Sequence, residues 1–383
     1  MARALFILLV FIFFQYSCIT NNSSTTKDNI YKDFKYLKPK YAQGFDIYKK
    51  SNISIIKIKN PWQKAKNIEF EYIIFSDSIT KNNEFEGKTT IKIPVRNAVC
   101  LSTTHIGYLD ALNKLDVITG ISGTSYVNND YINKKIKNNN IKEVGYEQNI
   151  NYETIININP DLIFAYSIGT ENIGYLNKFK EIGIPVFYIA EYLEHDPLGK
   201  TEWIKVFAEF FDLTEKADSI FNHIEKEYYD TKKIITNISF KPKVLTGLPW
   251  KGTWFVTGGK SHLANLIHNA GGQYLWRDLE IYRSEPLSLE SIFQRGVEAD
   301  YWINCNDASS IEELIRVEER INSLPVIKSG NIYNNNARIN INGGNDYWES
   351  GVMNPHIILK DMIKILHPEI ELDHKLYYYK KLY

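Results

Sequence analysis

The stretch NYETIININPDLIFA, residues 151–165, decides the fold, because the same pattern returns at residues 288–304 as SLESIFQRGVEADYWIN. Each copy starts with a residue that can cap a helix and carries a glutamate two positions later. Each then runs through a short helix into an apolar strand, Leu162–Ala165 or Tyr301–Asn304. A unit that occurs twice at matching positions indicates two equivalent lobes.

Strands and helices alternate on both sides of these two segments. Apolar strands are predicted at Ala98–Leu101, Val117–Ile121 and Pro185–Ile189, and again at Val244–Leu248 and Asn331–Tyr333. Helical patterns lie between them, and such alternation predicts parallel βαβ units. The sequence therefore predicts an α/β fold.

Two further regions complete this prediction. Trp203, Val206, Phe207 and Phe210 recur at helical spacing and predict a single long helix between the lobes. Residues 44–95 alternate short apolar runs with polar breaks and predict a β-rich extension, to which we assign no role. The predicted segments are a signal peptide at 1–18, a flexible tether at 19–43, an N-terminal α/β lobe with the extension at 44–197, the connecting helix at 198–238 and a C-terminal α/β lobe at 239–383.

The N-terminus has the pattern of a lipoprotein signal peptide. Arg3 precedes the apolar run Leu5–Phe14, which is shorter than the ~20 residues that span a bilayer. The run ends near Ser17-Cys18, which predicts cleavage before Cys18 and acylation of that cysteine, although Gln15 stands where leucine is typical. A plain secretion signal with an incidental cysteine is the alternative. The polar residues that follow cannot bury apolar surface and predict a tether.

Composition excludes several classes of function. The 383 residues carry 45 basic and 45 acidic side chains, so the net charge is zero and no nucleic-acid partner is expected. The eight histidines are scattered, and no catalytic triad order or zinc signature occurs. We therefore expect no metal site and no cofactor. Cys100 and Cys305 end or follow apolar runs, which favours buried free thiols and leaves a disulfide open. The run Asn334–Asn336 is interpreted as codon bias.

From about Ala98 to Leu366 the chain resembles the periplasmic binding proteins of ABC importers for iron siderophores, haem and cobalamin. The motifs that carry the resemblance are Gly145 with Asn151–Glu153 and Pro160–Ile163, Gly183–Val186, Gly259–Ser261 with Ala270–Gly272, and Leu287–Glu290 with Ala299-Asp300. The resemblance implies two Rossmann-like lobes joined by one rigid helix. It also implies that the chain captures a metal chelate or corrinoid and delivers it to a permease dimer, as a monomer.

Ligands of open α/β sheets bind beyond the carboxyl ends of the strands, and the loops predicted there are rich in aromatic residues. Tyr126 and Tyr166 match positions where cobalamin binders of the resembling family place a cleft aromatic. Arginines in these loops can clamp a carboxylate or phosphate, and His105 can ligate the metal of a bound complex. The predicted ligand contacts are His105, Tyr126, Tyr166, Trp250, Trp254, Tyr282, Arg283, Arg338, Tyr347 and Trp348.

Glu153 and Glu290 occupy equivalent positions in the two repeats. In the resembling family such a pair meets arginines of the permease, so we expect both to dock on it. A glutamate at a helix start is also favourable by itself, because it faces the positive end of the helix. Two alternatives remain open: a surface lipoprotein that passes ligand to an outer-membrane receptor, and a hydrolase with two catalytic carboxylates. The resemblance and Cys18 together predict a periplasmic protein held at a membrane by its lipid.

Overall fold

The computed structural model describes residues 31–76, 85, 87–146, 149–169 and 173–383. By internal contacts the chain divides into two units, Met1–Phe34 and Lys35–Tyr383. The described part of the first unit contains a 3-10 turn at Tyr31–Asp33. Cys18, the predicted signal peptide and the first part of the predicted tether lie outside the described residues. No helix in the described part of the chain is long and apolar enough to cross a membrane.

The β-rich extension forms a five-stranded sheet at the start of the second unit. Its strands are β1 (Lys35–Leu37), β2 (Phe45–Lys50), β3 (Ile53–Lys59), β4 (Glu69–Phe75) and β5 (Thr89–Lys92), in that order. The first four pair antiparallel, and β5 runs parallel to β4. One face packs on the last strand of the next sheet, where the ring centroids of Tyr72 and Phe187 lie 4.2 Å apart. The extension is therefore part of the N-terminal lobe's core.

The N-terminal lobe is a parallel sheet flanked by helices. Its elements are β6 (Ala98–Cys100), α1 (Thr104–Ala111), β7 (Ile118–Ile121), α2 (Asp130–Lys137), β8 (Lys142–Glu143), α3 (Tyr152–Ile158), β9 (Leu162–Ala165), α4 (Ile173–Glu181) and β10 (Val186–Tyr188). The strand order is β10-β9-β6-β7-β8. From β6 the chain adds β7 and β8 on one side and then β9 and β10 on the other, so the strand order reverses between β6 and β9. Open α/β sheets bind ligands in the crevice at such a switch point.

Three helices connect the lobes: α5 (Pro197–Glu202), α6 (Ile204–Glu209) and α7 (Thr214–Lys233). The long connecting helix is α7, with 20 residues, and the two short helices precede it, so the region predicted as one helix at 198–238 is divided into three. The chain breaks before α7 at Asp212, whose φ of 54° is left-handed and incompatible with a continuous helix. Glu202 of this segment accepts the backbone N–H groups of Lys40, Tyr41 and Ala42. The last part of the predicted tether, from Lys35 on, is therefore not flexible: it supplies β1 and is bonded to the lobe.

The C-terminal lobe repeats the parallel arrangement. Its elements are β11 (Lys243–Thr246), β12 (Trp254–Thr257), α8 (His262–Asn269), β13 (Gln273–Tyr274), β14 (Ser284–Leu287), α9 (Leu289–Gly296), β15 (Tyr301–Ile303), α10 (Ile311–Val317), α11 (Pro325–Ser329), β16 (Ile332–Asn334), α12 (Asp346–Glu349), α13 (Pro355–Leu366) and β17 (Lys380–Lys381). The strand order is β13-β11-β15-β16-β17, with only β17 antiparallel in this sheet. Strands β12 and β14 form a separate antiparallel ribbon. The predicted α/β fold with two lobes and an N-terminal β-rich extension is confirmed.

Candidate ligand-binding cleft

A cavity of about 780 Å³ lies where the carboxyl ends of the two parallel sheets meet. Ser102 and Thr103 follow β6 and Tyr166 follows β9, so the N-terminal lobe contributes its switch point. Gly247 follows β11 and Asn304 follows β15, so the C-terminal lobe contributes the equivalent point. Both lobes thus use the same feature of the same topology to build one cleft.

Aromatic side chains cover much of the cleft wall. Four predicted contacts, Tyr126, Tyr166, Trp250 and Trp348, line the cavity. Tyr146 and Phe255 line it as well, and neither was predicted. Tyr126, Trp250, Trp348, Tyr146 and Phe255 are exposed, which leaves their faces available to a ligand.

Strand β12 explains why Phe255 and not Trp254 lines the cleft. Side chains of a strand alternate between its faces, so neighbouring residues point in opposite directions. Trp254 is fully buried, its ring stacks on Trp302 at 5.5 Å, and its Nε1 donates to the Thr246 carbonyl at 3.1 Å. The predicted ligand contact of Trp254 is therefore wrong, and Phe255, one residue on, occupies the position on the wall.

His105 is a second correction. It lies inside the N-terminal lobe, fully buried between the rings of Phe164 and Phe207 at 6.1 and 6.0 Å. Burial lowers its pKa to about 3, so the ring is neutral at physiological pH. Helix α1 starts one residue earlier and turns this side chain toward the core, where it cannot ligate a metal in the cleft.

Tyr282, Arg283 and Arg338 lie outside the residues that line the cleft. Tyr282 stacks on His195, with ring centroids 3.9 Å apart. The Arg283 Nε donates to Glu285 at 2.8 Å, and the Arg338 Nε donates to Asp346 at 2.6 Å. Both guanidinium groups are therefore paired with carboxylates of their own lobe and do not form the predicted anion clamp.

Tyr347 is buried, and it lines a second, smaller cavity of about 120 Å³. Trp348 lines both cavities and so adjoins each of them. Glu191, Lys200 and His262 line the smaller one. Burial raises the pKa of Glu191 and lowers the pKa values of Lys200 and His262, and the Glu191 Oε2 has no hydrogen-bond partner among the described residues.

The two lobes touch beside the cleft. Asn340 of the C-terminal lobe donates its Nδ2 to the carbonyl groups of Ser125 and Val127, both at 3.1 Å. A Cβ at Gly344 would lie 2.0 Å from the Tyr126 carbonyl oxygen, so this approach requires glycine. The contact fixes the loop that carries Tyr126 against the opposite lobe.

Asparagines after β15 and β16 were missed by the sequence analysis. Asn335 and Asn336 line the cleft, and Asn334 holds the turn by donating to the carbonyl groups of Asn306 and Ala308 at 2.8 Å each. Their position directly after a predicted strand of the C-terminal sheet was the available indication. The run therefore has defined positions at the cleft, which an interpretation as codon bias did not predict.

Glu153 and Glu290 occupy the second position of α3 and α9, each behind a side-chain cap. Asn151 accepts from the Thr154 N–H, and Ser288 accepts from the Ser291 N–H. Both glutamates are exposed, and Glu290 lies 3.6 Å from Arg320. The two repeats therefore present their carboxylates in the same local geometry.

Cysteines and metal-ligand residues add no further site within the described part of the chain. Cys100 and Cys305 are buried and free. No cluster of three or more His, Cys, Asp or Glu suited to a metal ion occurs among the described residues.

The chain belongs to the periplasmic binding protein family, whose pattern matches residues 98–338. The matched family and the structural neighbours are substrate-binding proteins of transport and not enzymes. This removes the alternative of a hydrolase with two catalytic carboxylates.

Curated relatives and solved structures agree with this assignment. The chain is 27% identical over 389 residues to an uncharacterized lipoprotein of Methanocaldococcus jannaschii, covering 95% of this chain and 88% of the relative. A possible iron-binding periplasmic solute-binding protein from Staphylococcus epidermidis superposes with a TM-score of 0.56 at 17% identity, covering 72% of this chain and 100% of that one. A periplasmic heme-binding protein from Pseudomonas aeruginosa gives 0.57 at 13% identity, covering 74% and 96%. These structures share the fold.

Proposed function

We propose that the chain is the substrate-binding lipoprotein of an ABC importer, which captures a metal chelate or corrinoid and delivers it to an inner-membrane permease. The observation that carries the proposal is the aromatic-walled cleft at the carboxyl ends of both sheets. Structural neighbours named for their ligands include a heme-binding protein from Pseudomonas aeruginosa and a petrobactin-binding protein from Bacillus subtilis.

The volume of the cleft is suited to a small-molecule ligand. Its volume of about 780 Å³ falls within the roughly 300–1,000 Å³ of small-molecule sites. An aromatic side chain buries ~150–250 Å² when covered, which at ~25 cal/mol per Å² gives roughly 4–6 kcal/mol as an upper bound. Association costs reduce this sum, yet several such rings support micromolar or tighter binding.

Glu153 and Glu290 support the delivery step. A permease built as a two-fold dimer offers two equivalent surfaces, and a protein with two repeated lobes can present one carboxylate to each. Carboxylate–arginine pairs are directional and accelerate association, which suits a transient contact. We assign these two residues to permease docking.

Cys18 supports the location. We propose that acylation of Cys18 anchors the protein to a membrane on its periplasmic side, and that the polar segment after it allows the binding lobes to reach the permease. Several acyl chains hold a protein stably at a bilayer, whereas a single chain does not.

The test is to identify the ligand directly. Native mass spectrometry of protein purified from its own host should show a co-purifying corrinoid, haem or siderophore. Titration of the purified protein with that compound should quench the tryptophan fluorescence of the protein. The compound itself should remain chemically unchanged. Substitution of Trp250, which is 62% exposed in the cleft, should weaken both binding and quenching. Absence of binding to all three classes of ligand would overturn the proposal.

A further inference from the structure

The cleft wall lacks positive charge. Among the described residues that line it, Asp307 is the only charged side chain. A ligand in this cleft therefore meets one carboxylate and no cation of the described wall.

The positively charged side chains nearest in sequence to the lining residues do not line the cleft. Arg283 and Arg338 are paired with Glu285 and Asp346. The Lys251 Nζ lies 4.5 Å from the centroid of the Trp250 ring, and Lys200 lines the smaller cavity. None of the four lines the cleft itself.

Hydrogen-bond acceptors are left over on the wall. The Asn336 Oδ1 is buried and has no hydrogen-bond partner among the described residues, and Asn336 is only 3% exposed. Asp307 forms no hydrogen bond or ion pair with another described residue. A buried acceptor without a partner costs free energy, so it favours a ligand that supplies a donor.

The amides after β15 leave a mixed set of polar groups. The Asn304 Oδ1 already accepts from the Tyr379 hydroxyl at 2.8 Å, and the Asn306 Nδ2 donates to the Leu248 carbonyl at 3.2 Å. The hydroxyl groups of Ser102, Thr103 and Ser284 also line the cleft, and each can donate or accept. The described wall is thus rich in amides, and its one charged side chain, Asp307, is negative.

We infer that the ligand is electrically neutral or cationic overall and presents amide N–H, hydroxyl or ammonium donors to this wall. This inference rests on the proposed function and narrows it. Chelates with uncompensated carboxylates, such as haem with its propionates, and ferric tricatecholates with several negative charges, do not fit. Ferric hydroxamates and amide-rich corrinoids fit, because they bury no net negative charge beside Asp307.

The experiment compares four probes by calorimetry at fixed ionic strength: cyanocobalamin, a cationic ferric trihydroxamate, haemin and a ferric tricatecholate. We expect one of the first two to bind at least about 100-fold more tightly than either anionic probe. An anionic probe meets unfavourable contacts at both Asp307 and Asn336, and the free-energy costs of the two contacts add. Asp307→Asn should weaken the cationic chelate more than the neutral one. The difference in affinity between the cationic chelate and the anionic probes should decrease as the salt concentration increases.

A charge-gain variant tests the same point in the opposite direction. Ser284 lies exposed on the wall, and Ser284→Arg should raise the affinity for the anionic probes by about tenfold or more. Ser284→Gln is the matched control, since it adds length without charge and should not. Equal or tighter binding of an anionic chelate by the unaltered protein would overturn this inference and leave the proposed function intact. Failure to bind any of the four would overturn both.

Discussion

The Glu349 carboxylate of the C-terminal lobe accepts the backbone N–H of Asn129 in the N-terminal lobe at 2.7 Å. Its second oxygen accepts the N–H of Asn128 at 2.8 Å, so one side chain links the lobes twice. Burial raises the pKa of Glu349 from its ordinary 4.5 to about 7, with further increases from Asp346 and Asp110, although the two hydrogen bonds oppose the shift.

This pKa predicts a pH dependence of stability. The folded protein binds the proton of Glu349 more tightly than the unfolded chain does. The contribution of this proton to the free energy of unfolding is therefore complete below pH 4.5 and is lost as pH rises through 7. The difference corresponds to on the order of 3 kcal/mol at most. In urea unfolding at successive pH values, Glu349→Gln should flatten the dependence between about pH 4.5 and 7. Glu371→Gln, at an exposed position, should retain it, and an unchanged slope in Glu349→Gln would contradict the assignment.

Trp254 and Trp250 should separate stability from binding. Trp254→Ala removes a buried ring that stacks on Trp302, and we expect a loss of about 3–5 kcal/mol in the free energy of unfolding. Trp250→Ala removes an exposed ring, so stability should stay within about 0.5 kcal/mol while ligand affinity falls. Chemical denaturation and ligand titration of both variants measure this. The reverse pattern would mean that the buried position of Trp254 and the exposed position of Trp250 have been assigned incorrectly.

The docking assignment predicts a defect in uptake without a defect in binding. Because Glu153 and Glu290 are exposed at helix starts, the double substitution to alanine should leave ligand affinity within about twofold and cost at most about 1 kcal/mol per site. Transport in reconstituted vesicles should fall at least about tenfold, and arginine at both positions should be worse. Glu181→Ala with Glu319→Ala, one exposed glutamate in each lobe, provides the matched control. Uptake at the unaltered rate in the double mutant would rule out docking through this pair.

Cys18 lies outside the described residues, and its role is tested by fractionation. Cys18→Ala should release the protein from membranes or leave it unprocessed, because the acyl chains that hold it are lost. Metabolic labelling with a fatty acid should mark the unaltered protein and not the variant. Retention of the variant on membranes, at the level of the unaltered protein, would contradict lipid anchoring.

Local features of the chain were predictable from sequence. The caps Asn151 and Ser288 hydrogen-bond three residues ahead, which places Glu153 and Glu290 at the second helical position without reference to the rest of the fold. The alternation of apolar strands with helices also depends on neighbouring residues. Parallel sheets therefore followed from pattern alone.

Contacts between distant residues were not predictable. The residues flanking Trp254 do not show which face of the β12–β14 ribbon is buried, because a ribbon apart from the main sheet has no face fixed by its own pattern. The pairing of Arg338 with Asp346 likewise depends on how the loop between β16 and α12 folds back. Trp254 and Arg338 were therefore wrongly included in the predicted site.

By itself the sequence determined the two α/β lobes, their repeat and the family, because hydrophobic periodicity and capping act over a few residues. Only the tertiary structure decided what the cleft contains. Tyr126, Asn336 and Asp307 are far apart along the chain, and the carboxyl ends of two sheets bring them to one cavity. The lack of cations among the described residues of that cavity depends on which charges are paired elsewhere, and that pairing is set by side-chain contacts within the folded lobes.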